Sequence, residues 1–278
     1  MNFRWRLGTF IFTFAFLLLG NSCSNKEKDA QQRLSLAKEY LQQGRYEAAR
    51  LQIDSLMLIY AGLPEVLRES NKLFWEIEAG EQKLVLNRCD SLLSINQVIA
   101  DSLKKILCFE KDETYQTAGI YFDKNQRLEI MTKTHGLRFL VNENGDMSVV
   151  GVASGQGKGT FSAIKAEVVS GIYSETPALS KNDSNNFNGE ISQTIYFTRG
   201  RDNGFIEFLY TYKDEPLKIT FLGSSKPFSF LLSSTEKKAM DGVYTLAVAQ
   251  TNLHQFLKEK ALAQKKIEFT IQAIEKCN

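Results

Sequence analysis

The spacing of apolar residues predicts a chain that begins with helices, changes to strands and returns to a helix. Residues 33–62 carry apolar side chains three or four positions apart, with one interruption at Gln43 and Gly44, which is typical of a helical hairpin. The same spacing continues over residues 63–110 and returns over residues 236–276. Two long helices are therefore expected on either side of a central segment.

The central segment, residues 113–233, has a different pattern. Its apolar residues alternate with polar ones or form short β-branched and aromatic blocks, and turn residues separate the blocks. The strands are expected at residues 118–122, 128–133, 137–141, 147–153, 161–169, 191–198, 205–212, 217–221 and 228–232. This pattern predicts an antiparallel β-domain, built as a sandwich or an open barrel. With the flanking helices, the predicted fold class is α+β.

The two long helices each carry an apolar seam, and paired seams favour an antiparallel coil. The seam residues expected before and after the β-domain are Leu92, Ile95, Ile99, Leu103 and Ile106, and then Ala239, Val243, Leu246, Leu253, Leu257, Ile267, Ile271 and Ile274. If residue 110 meets residue 236, Leu92 lies opposite His254. In the alternative arrangement, each helix packs separately on the β-domain.

Residues 1–22 have the features of a secretory signal. Arg4 and Arg6 precede an apolar run over residues 7–19, and small residues precede Cys23. The sequence before Cys23 resembles a bacterial lipobox, in which the cysteine after the cleavage site is diacylated. Cys23 is therefore the expected lipidation site, and residues 23–32 are expected to form a flexible tether. The alternatives are an ordinary secretory signal and a retained anchor, although a membrane span requires about 20 apolar residues.

The charge balance argues against a nucleic-acid partner. The chain has 34 Lys and Arg residues against 32 Asp and Glu residues, and removal of Arg4 and Arg6 with the signal leaves 32 of each. A near-neutral protein lacks the concentrated basic surface that nucleic-acid binding requires.

The remaining cysteines, Cys89, Cys108 and Cys277, are expected to stay unpaired. A continuous helix would separate Cys89 from Cys108 by about 28 Å, whereas a disulfide requires Cα atoms within about 7 Å. The only two histidines, His135 and His254, are isolated, and no Cys-x-x-Cys spacing occurs. A metal site is therefore not expected.

One segment resembles a nucleotide-binding loop. Residues 155–160 (GQGKGT) reproduce the end of a phosphate loop, but the leading glycine is displaced. Such a loop must be followed by a helix, whereas residues 161–169 have a composition typical of a strand. A hairpin loop is the expected structure, and His135 is expected to be a turn residue. No catalytic residue and no cofactor are therefore expected.

Aromatic residues are concentrated near the end of the β-domain. If this region forms strands, alternation sends about half of the rings outward. An outward set could form a platform for a glycan or a peptide. The candidate platform residues are Tyr196, Phe208, Tyr210 and Tyr212.

Two segments carry a resemblance to a known family, namely residues 36–54 (LAKEYLQQGRYEAARLQID) and residues 108–126 (CFEKDETYQTAGIYFDKNQ). Through them the chain resembles a family of Bacteroidota envelope lipoproteins. That family combines a hairpin similar to a tetratricopeptide repeat with coiled-coil helices and a β-domain. The resemblance implies this architecture and a location in the cell envelope. It transfers no active site, because neither segment is a catalytic motif.

The sequence thus predicts a non-enzymatic, lipid-anchored protein of the cell envelope, held at the outer membrane on its periplasmic face or at the cell surface. Its β-domain is expected to bind or scaffold a protein partner. The alternative is an accessory protein that captures or processes carbohydrate with its aromatic hairpins. In that case the ligand is a glycan.

The lipidation prediction can be tested by replacing the acceptor cysteine. We expect Cys23→Ala to abolish incorporation of labelled palmitate and to leave the protein unanchored, because the thiol is the acyl acceptor. Membrane fractionation and mobility on gels measure both effects. A Cys108→Ala variant is the control and should be acylated normally. If Cys23→Ala is processed and anchored like the parent, the prediction is wrong.

Overall fold

The computed structural model describes residues 25–114, 116–127, 130, 133–154, 160–223 and 226–277. It confirms the α+β fold class, with long helices toward both ends of the chain and two antiparallel sheets between them. The chain divides into two compact units. Among the described residues, the first unit contains residues 25–91 together with residues 257–277, and the second lies within Leu92–Phe256.

The first unit contains the predicted helical hairpin. Helix α1 covers residues 25–42, α2 is Tyr46–Ile59, and α3 is Pro64–Ile106, of which the first part lies in this unit. Their buried apolar residues recur at helical spacing and form one cluster: Ala30, Leu34, Ala37, Ala49, Ile53, Leu56, Tyr60, Val66, Leu73 and Ile77. The prediction of a flexible tether is wrong for residues 25–32. They are helical because Ala30 is buried in this cluster.

The last helix of the chain runs beside α3 within the first unit. This helix is Ser234–Cys277, labelled α5 below because a shorter helix precedes it. The rings of Trp75 and Phe269 meet edge to face at 5.5 Å, and Lys260 forms an ion pair with Asp90. Since later residues of one helix meet earlier residues of the other, the two run antiparallel here, close to the predicted register.

The described residues of the second unit form ten strands. They are β1 (Cys108–Glu110), β2 (Ile120–Phe122), β3 (Gly136–Asn142), β4 (Met147–Ser154), β5 (Phe161–Glu167), β6 (Tyr173–Glu175), β7 (Asn186–Asn188), β8 (Ser192–Thr198), β9 (Lys218–Gly223) and β10 (Phe228–Leu231). One sheet has the order β1-β2-β3-β4-β8-β7 and the other the order β10-β9-β5-β6. Every pairing between neighbouring strands is antiparallel.

Two of the predicted strands are wrong. Residues Phe205–Thr211 form a helix, α4, instead of a strand. Its buried residues Phe205, Ile206 and Leu209 follow helical spacing, and the buried Asp202 carboxylate accepts a hydrogen bond from the backbone N–H of Ile206. Among the described residues of the strand predicted at 128–133, Ile130 is helical and Lys133 lies in a turn.

The two sheets share an apolar interior. Alternate residues of β3, β4 and β8 face it, including Phe139, Val149 and Phe197, and they meet residues of β5 and β9 from the other sheet. At Gly151 on β4, an added Cβ would lie 2.6 Å from Cδ1 of Ile164 and 2.8 Å from the ring of Phe221. Glycine at this position therefore permits the close approach of the sheets.

The ends of the two long helices complete this interior. Ala100 of α3, Leu107 directly after that helix, and Met240, Val243 and Leu246 of α5 are buried in the same cluster as the inward-facing strand residues. Within this unit the side chains of Asn96 and Asn252 form a 3.0 Å hydrogen bond, which again sets α3 antiparallel to α5. The helices thus both pair with each other and pack on the sheets.

We expect Gly151→Ala to lower the free energy of unfolding of the second unit by about 1–3 kcal/mol, because the added methyl group overpacks the space between the sheets. Urea unfolding followed by far-UV circular dichroism measures the change. Gly242→Ala is the matched control, because an added Cβ there makes ordinary contact at 4.0 Å. It should leave stability unchanged or raise it by about 1 kcal/mol through helix propensity. Equal stability of the two variants would contradict the proposed packing role of Gly151.

Candidate functional site

The expected lipidation site, Cys23, lies outside the described residues. The same is true of residues 155–159 of the segment that resembles a phosphate loop. The residues that follow that segment form strand β5, as the sequence predicted, and not the helix that a phosphate loop requires.

The predicted aromatic platform is divided between two places. Tyr196 lies on β8 and packs with Phe122, Val150 and Val152 on the face of the six-stranded sheet that points away from the shared interior. Phe208 and Tyr212 lie on α4, 4.7 Å apart between ring centroids, and pack against the shared interior. Tyr196 is therefore separated from these two residues by the sheet, so the four candidates do not form one surface.

Tyr210 is the centre of a stack of four side chains. Its ring is stacked on the ring of Tyr244 of α5, with centroids 3.7 Å apart. The Lys213 ammonium lies 4.4 Å from the Tyr210 centroid, and the Arg199 guanidinium lies 4.9 Å from the Tyr244 centroid. Each ring thus has an aromatic neighbour and a cationic neighbour. Tyr210 therefore has little open ring surface for stacking on a sugar.

Charged groups hold this stack together at its edges. The Glu207 carboxylate accepts a hydrogen bond of 2.5 Å from the Tyr244 hydroxyl and one of 2.6 Å from Nε of Arg199. Lys213 forms an ion pair with Asp241. The pKa of Tyr244 is raised to about 12. Partial burial is the largest cause, and the hydrogen bond to Glu207 is the second largest. The phenol therefore stays protonated and donates to Glu207, which fastens α4 to α5.

The isolated histidines have no catalytic neighbours in the hydrogen bonds that the structure describes. Nδ1 of His135 accepts from the backbone N–H of Ser154 at 3.1 Å, and its ring contacts Phe228 with centroids 4.4 Å apart. His254 is exposed on α5. Cys89, Cys108 and Cys277 are free thiols, and burial raises the pKa of Cys89. Over the described ranges, no group of three or more His, Cys, Asp or Glu residues is arranged to hold a metal ion.

An exposed apolar row on α3 is a surface feature of the second unit that the sequence did not predict. Ile95 is 55% exposed, Val98 is 64% exposed and Ile106 is 69% exposed, with Ile99 at the edge of the row. The predicted seam placed Ile95, Ile99 and Ile106 inside, and this is wrong. The inward side of α3 is formed by the buried Asn96 and Ala100 and by Leu103, a predicted seam residue that is partly buried, and the buried Leu107 follows directly after the helix.

The seam prediction for the last helix is wrong in the same way at two positions. Ala239, Val243 and Leu246 are buried as expected, whereas Leu257 and Ile271 are about half exposed. Ala263 and Thr270 are buried in that part of the helix. Their small or polar side chains were the sequence signal that could have identified these buried positions, because such side chains fit the close contacts between helices.

Comparisons with known proteins assign no family to the chain. It matches no protein-family model, no curated protein and no solved structure. In the part of the chain that the structure describes, none of the helices is both long and apolar enough to cross a membrane.

The pKa of Tyr244 predicts a specific loss of stability at high pH. Because the folded-state pKa exceeds the ordinary value of 10, the native state retains a proton that the unfolded chain releases between pH 10 and about 12. Stability contributed by Tyr244 is therefore complete below pH 10 and is lost as the pH rises toward 12. We expect Tyr244→Phe to show a shallower fall in unfolding free energy over this range, measured by urea unfolding.

A second tyrosine provides the control for this measurement. Tyr173 is exposed on β6, and Tyr173→Phe removes a tyrosine hydroxyl while it leaves the bond from Tyr244 to Glu207 in place. If Tyr244→Phe and the parent lose stability in parallel above pH 10, the bond from Tyr244 to Glu207 does not hold the proton as described.

Proposed function

We propose that this protein is a non-enzymatic, lipid-anchored protein of the cell envelope that binds a protein partner through the exposed apolar row of α3. The row consists of Ile95, Val98, Ile99 and Ile106 in the second unit, which also contains the β-sheets. The observation that supports this proposal is that a helix already packed along one side carries a second apolar side in contact with water.

The geometry of α3 suits a helix as the partner element. The buried residues Asn96 and Ala100 mark one side of the helix. Ile95, Ile99 and Ile106 lie roughly a quarter turn away from it, and Val98 lies on the opposite side of the helix. Positions 95, 99 and 106 repeat at the spacing that a second amphipathic helix uses for its anchors. Burial of such isoleucine and valine side chains contributes about 1.5–3 kcal/mol each.

Attachment and location in this proposal depend on the sequence signals before Cys23. Arg4, Arg6 and the apolar run support export, and Cys23 supports lipidation at the membrane surface. The glycan alternative has less support, because the rings of Tyr210 and Tyr244 stack on each other and are flanked by Lys213 and Arg199.

Site-specific photo-crosslinking in intact cells tests the proposed surface. A photoreactive residue placed at position 98 or 106 of the full chain should give the same discrete protein adduct. The matched control is position 97, because Gln97 is exposed on the same helix and points to another side. Ile95→Glu should reduce the adduct formed from position 106 by about tenfold or more, because it places a charge in the apolar contact.

The test compares the adducts formed at positions inside the row with the adduct formed at position 97 outside it. The same adducts at positions 97 and 98, or an adduct that Ile95→Glu leaves unchanged, would show that the row is not the binding surface. Far-UV circular dichroism of Ile95→Glu confirms that the variant is folded before the yields are compared.

A further inference from the structure

The first unit has an apolar end that the proposed function does not use. Residues 55–64 (SLMLIYAGLP) contain no charged side chain, and they form the end of α2, the turn after it and the first residue of α3. Within this segment Leu58 is 83% exposed and Ile59 is 61% exposed, and the turn residues Ala61 and Gly62 are exposed next to them. The apolar tip, defined as these four residues, therefore presents two large aliphatic side chains to water at a turn between helices.

The contacts of Tyr60 place the apolar tip beside the start of α1. The Tyr60 hydroxyl donates a hydrogen bond to the Asp29 carboxylate, and Tyr60 is buried in the same cluster as Ala30. The short turn at residues 43–45 joins the other ends of α1 and α2, so the two helices run antiparallel. The end of α2 and the start of α1 therefore share one end of the first unit.

This position brings the apolar tip close to the expected lipid anchor. Cys23 is two positions before residue 25 of α1, so the chain between them spans at most about 7 Å. The helical rise from residue 25 to Asp29 adds about 6 Å. Since Tyr60 contacts Asp29, acyl chains on Cys23 would hold the apolar tip near the membrane surface.

The charged groups around the apolar tip are balanced. Residues 26–29 (KEKD) alternate in sign, Asp29 lies 3.6 Å from Arg33, and Glu65 lies 2.7 Å from Arg68. Such surroundings neither repel an anionic lipid surface nor attract one strongly. Contact with a bilayer would therefore depend on the aliphatic side chains and only weakly on salt.

We propose that the apolar tip inserts into the surface of the bilayer in which Cys23 is anchored, with Leu58 and Ile59 among the outer parts of the acyl chains. This proposal rests on the lipid anchor of the proposed function and adds a second contact with the membrane. An acylated cysteine fixes only one point of the protein. A second apolar contact beside it sets which end of the first unit faces the bilayer.

Proximity to the anchor selects the membrane as the occupant of the apolar tip. Once Cys23 is acylated, the bilayer is always within reach of the tip, so the contact forms within one assembly and not between freely diffusing molecules. A separate protein would have to displace that contact at the end of the unit nearest the membrane.

Fluorescence quenching with the lipidated, full mature chain tests the insertion. A fluorescent amino acid is placed at position 58, and the protein is reconstituted into phosphatidylcholine vesicles that contain lipids spin-labelled on the acyl chain. Position 51 is the matched control, because Leu51 is 65% exposed on the same side of α2. It lies about 10 Å farther along the helix, which exceeds the thickness of one headgroup layer, about 5–8 Å. We therefore expect quenching at position 58 and little at position 51.

Substitutions next to the probe show whether the aliphatic side chains cause the insertion. Ile59→Glu should lower the inserted fraction measured at position 58 by about tenfold or more, because it places a charge among the acyl chains. Leu51→Glu is the control and should leave quenching at position 58 unchanged. Both replaced side chains are exposed, so neither variant loses a buried contact. Added salt should also leave the quenching unchanged.

Palmitate labelling and flotation of the same vesicles separate this proposal from the anchor on which it rests. If the parent is acylated and floats, but positions 58 and 51 are quenched equally, the anchor is present and the insertion is wrong. A parent that is neither acylated nor floats would overturn both. A discrete protein adduct from a photoreactive residue at position 58 in intact cells, without lipid adducts, would overturn the insertion in favour of a protein partner.

Discussion

The second unit depends on one apolar interior that two β-sheets and the ends of two long helices bury together. Each sheet presents alternate residues to it, and α3 and α5 cover what the strands leave open. Gly151 permits the short distance between the sheets, because any side chain there would meet Ile164 and Phe221. The ends of the two long helices are therefore part of the same folded unit as the strands. The compact unit extends over Leu92–Phe256, beyond the segment of β-type sequence at 113–233.

That shared interior also explains why the aromatic surplus is mostly structural. Phe208 and Tyr212 pack against the interior, and Tyr210 is stacked on Tyr244. Glu207 joins Arg199 and Tyr244, so its carboxylate is already used by the protein. Aromatic rings and charged groups of this kind can form a sugar-binding site, but here the rings stack on each other and the charged groups pair within the protein. Apolar side chains without such partners are instead found in the exposed row of α3.

The exposed row of α3 was missed for a physical reason. Ile95, Ile99 and Ile106 have the spacing of a helix seam, and the buried Asn96, Ala100 and Leu107 have the same spacing one position later in the chain. Periodicity alone does not distinguish two apolar sides of one helix. In the first unit, Gly80 accepts the ring of Tyr46 across 34 positions of sequence, and Arg50 is shared by Glu78 and Glu81. Nothing local in the sequence reveals either contact.

The sequence by itself determined the α+β class, the helical hairpin, the two long antiparallel helices and most of the longer strands, because periodicity and turn residues act over a few neighbouring positions. It also supplied the signals for lipidation at Cys23. The tertiary structure decided that residues Phe205–Thr211 are helical, since the buried Asp202 carboxylate and the shared interior favour that conformation. It also decided which apolar side chains stay in water. Those outcomes depend on contacts between residues far apart in the chain, which no local pattern encodes.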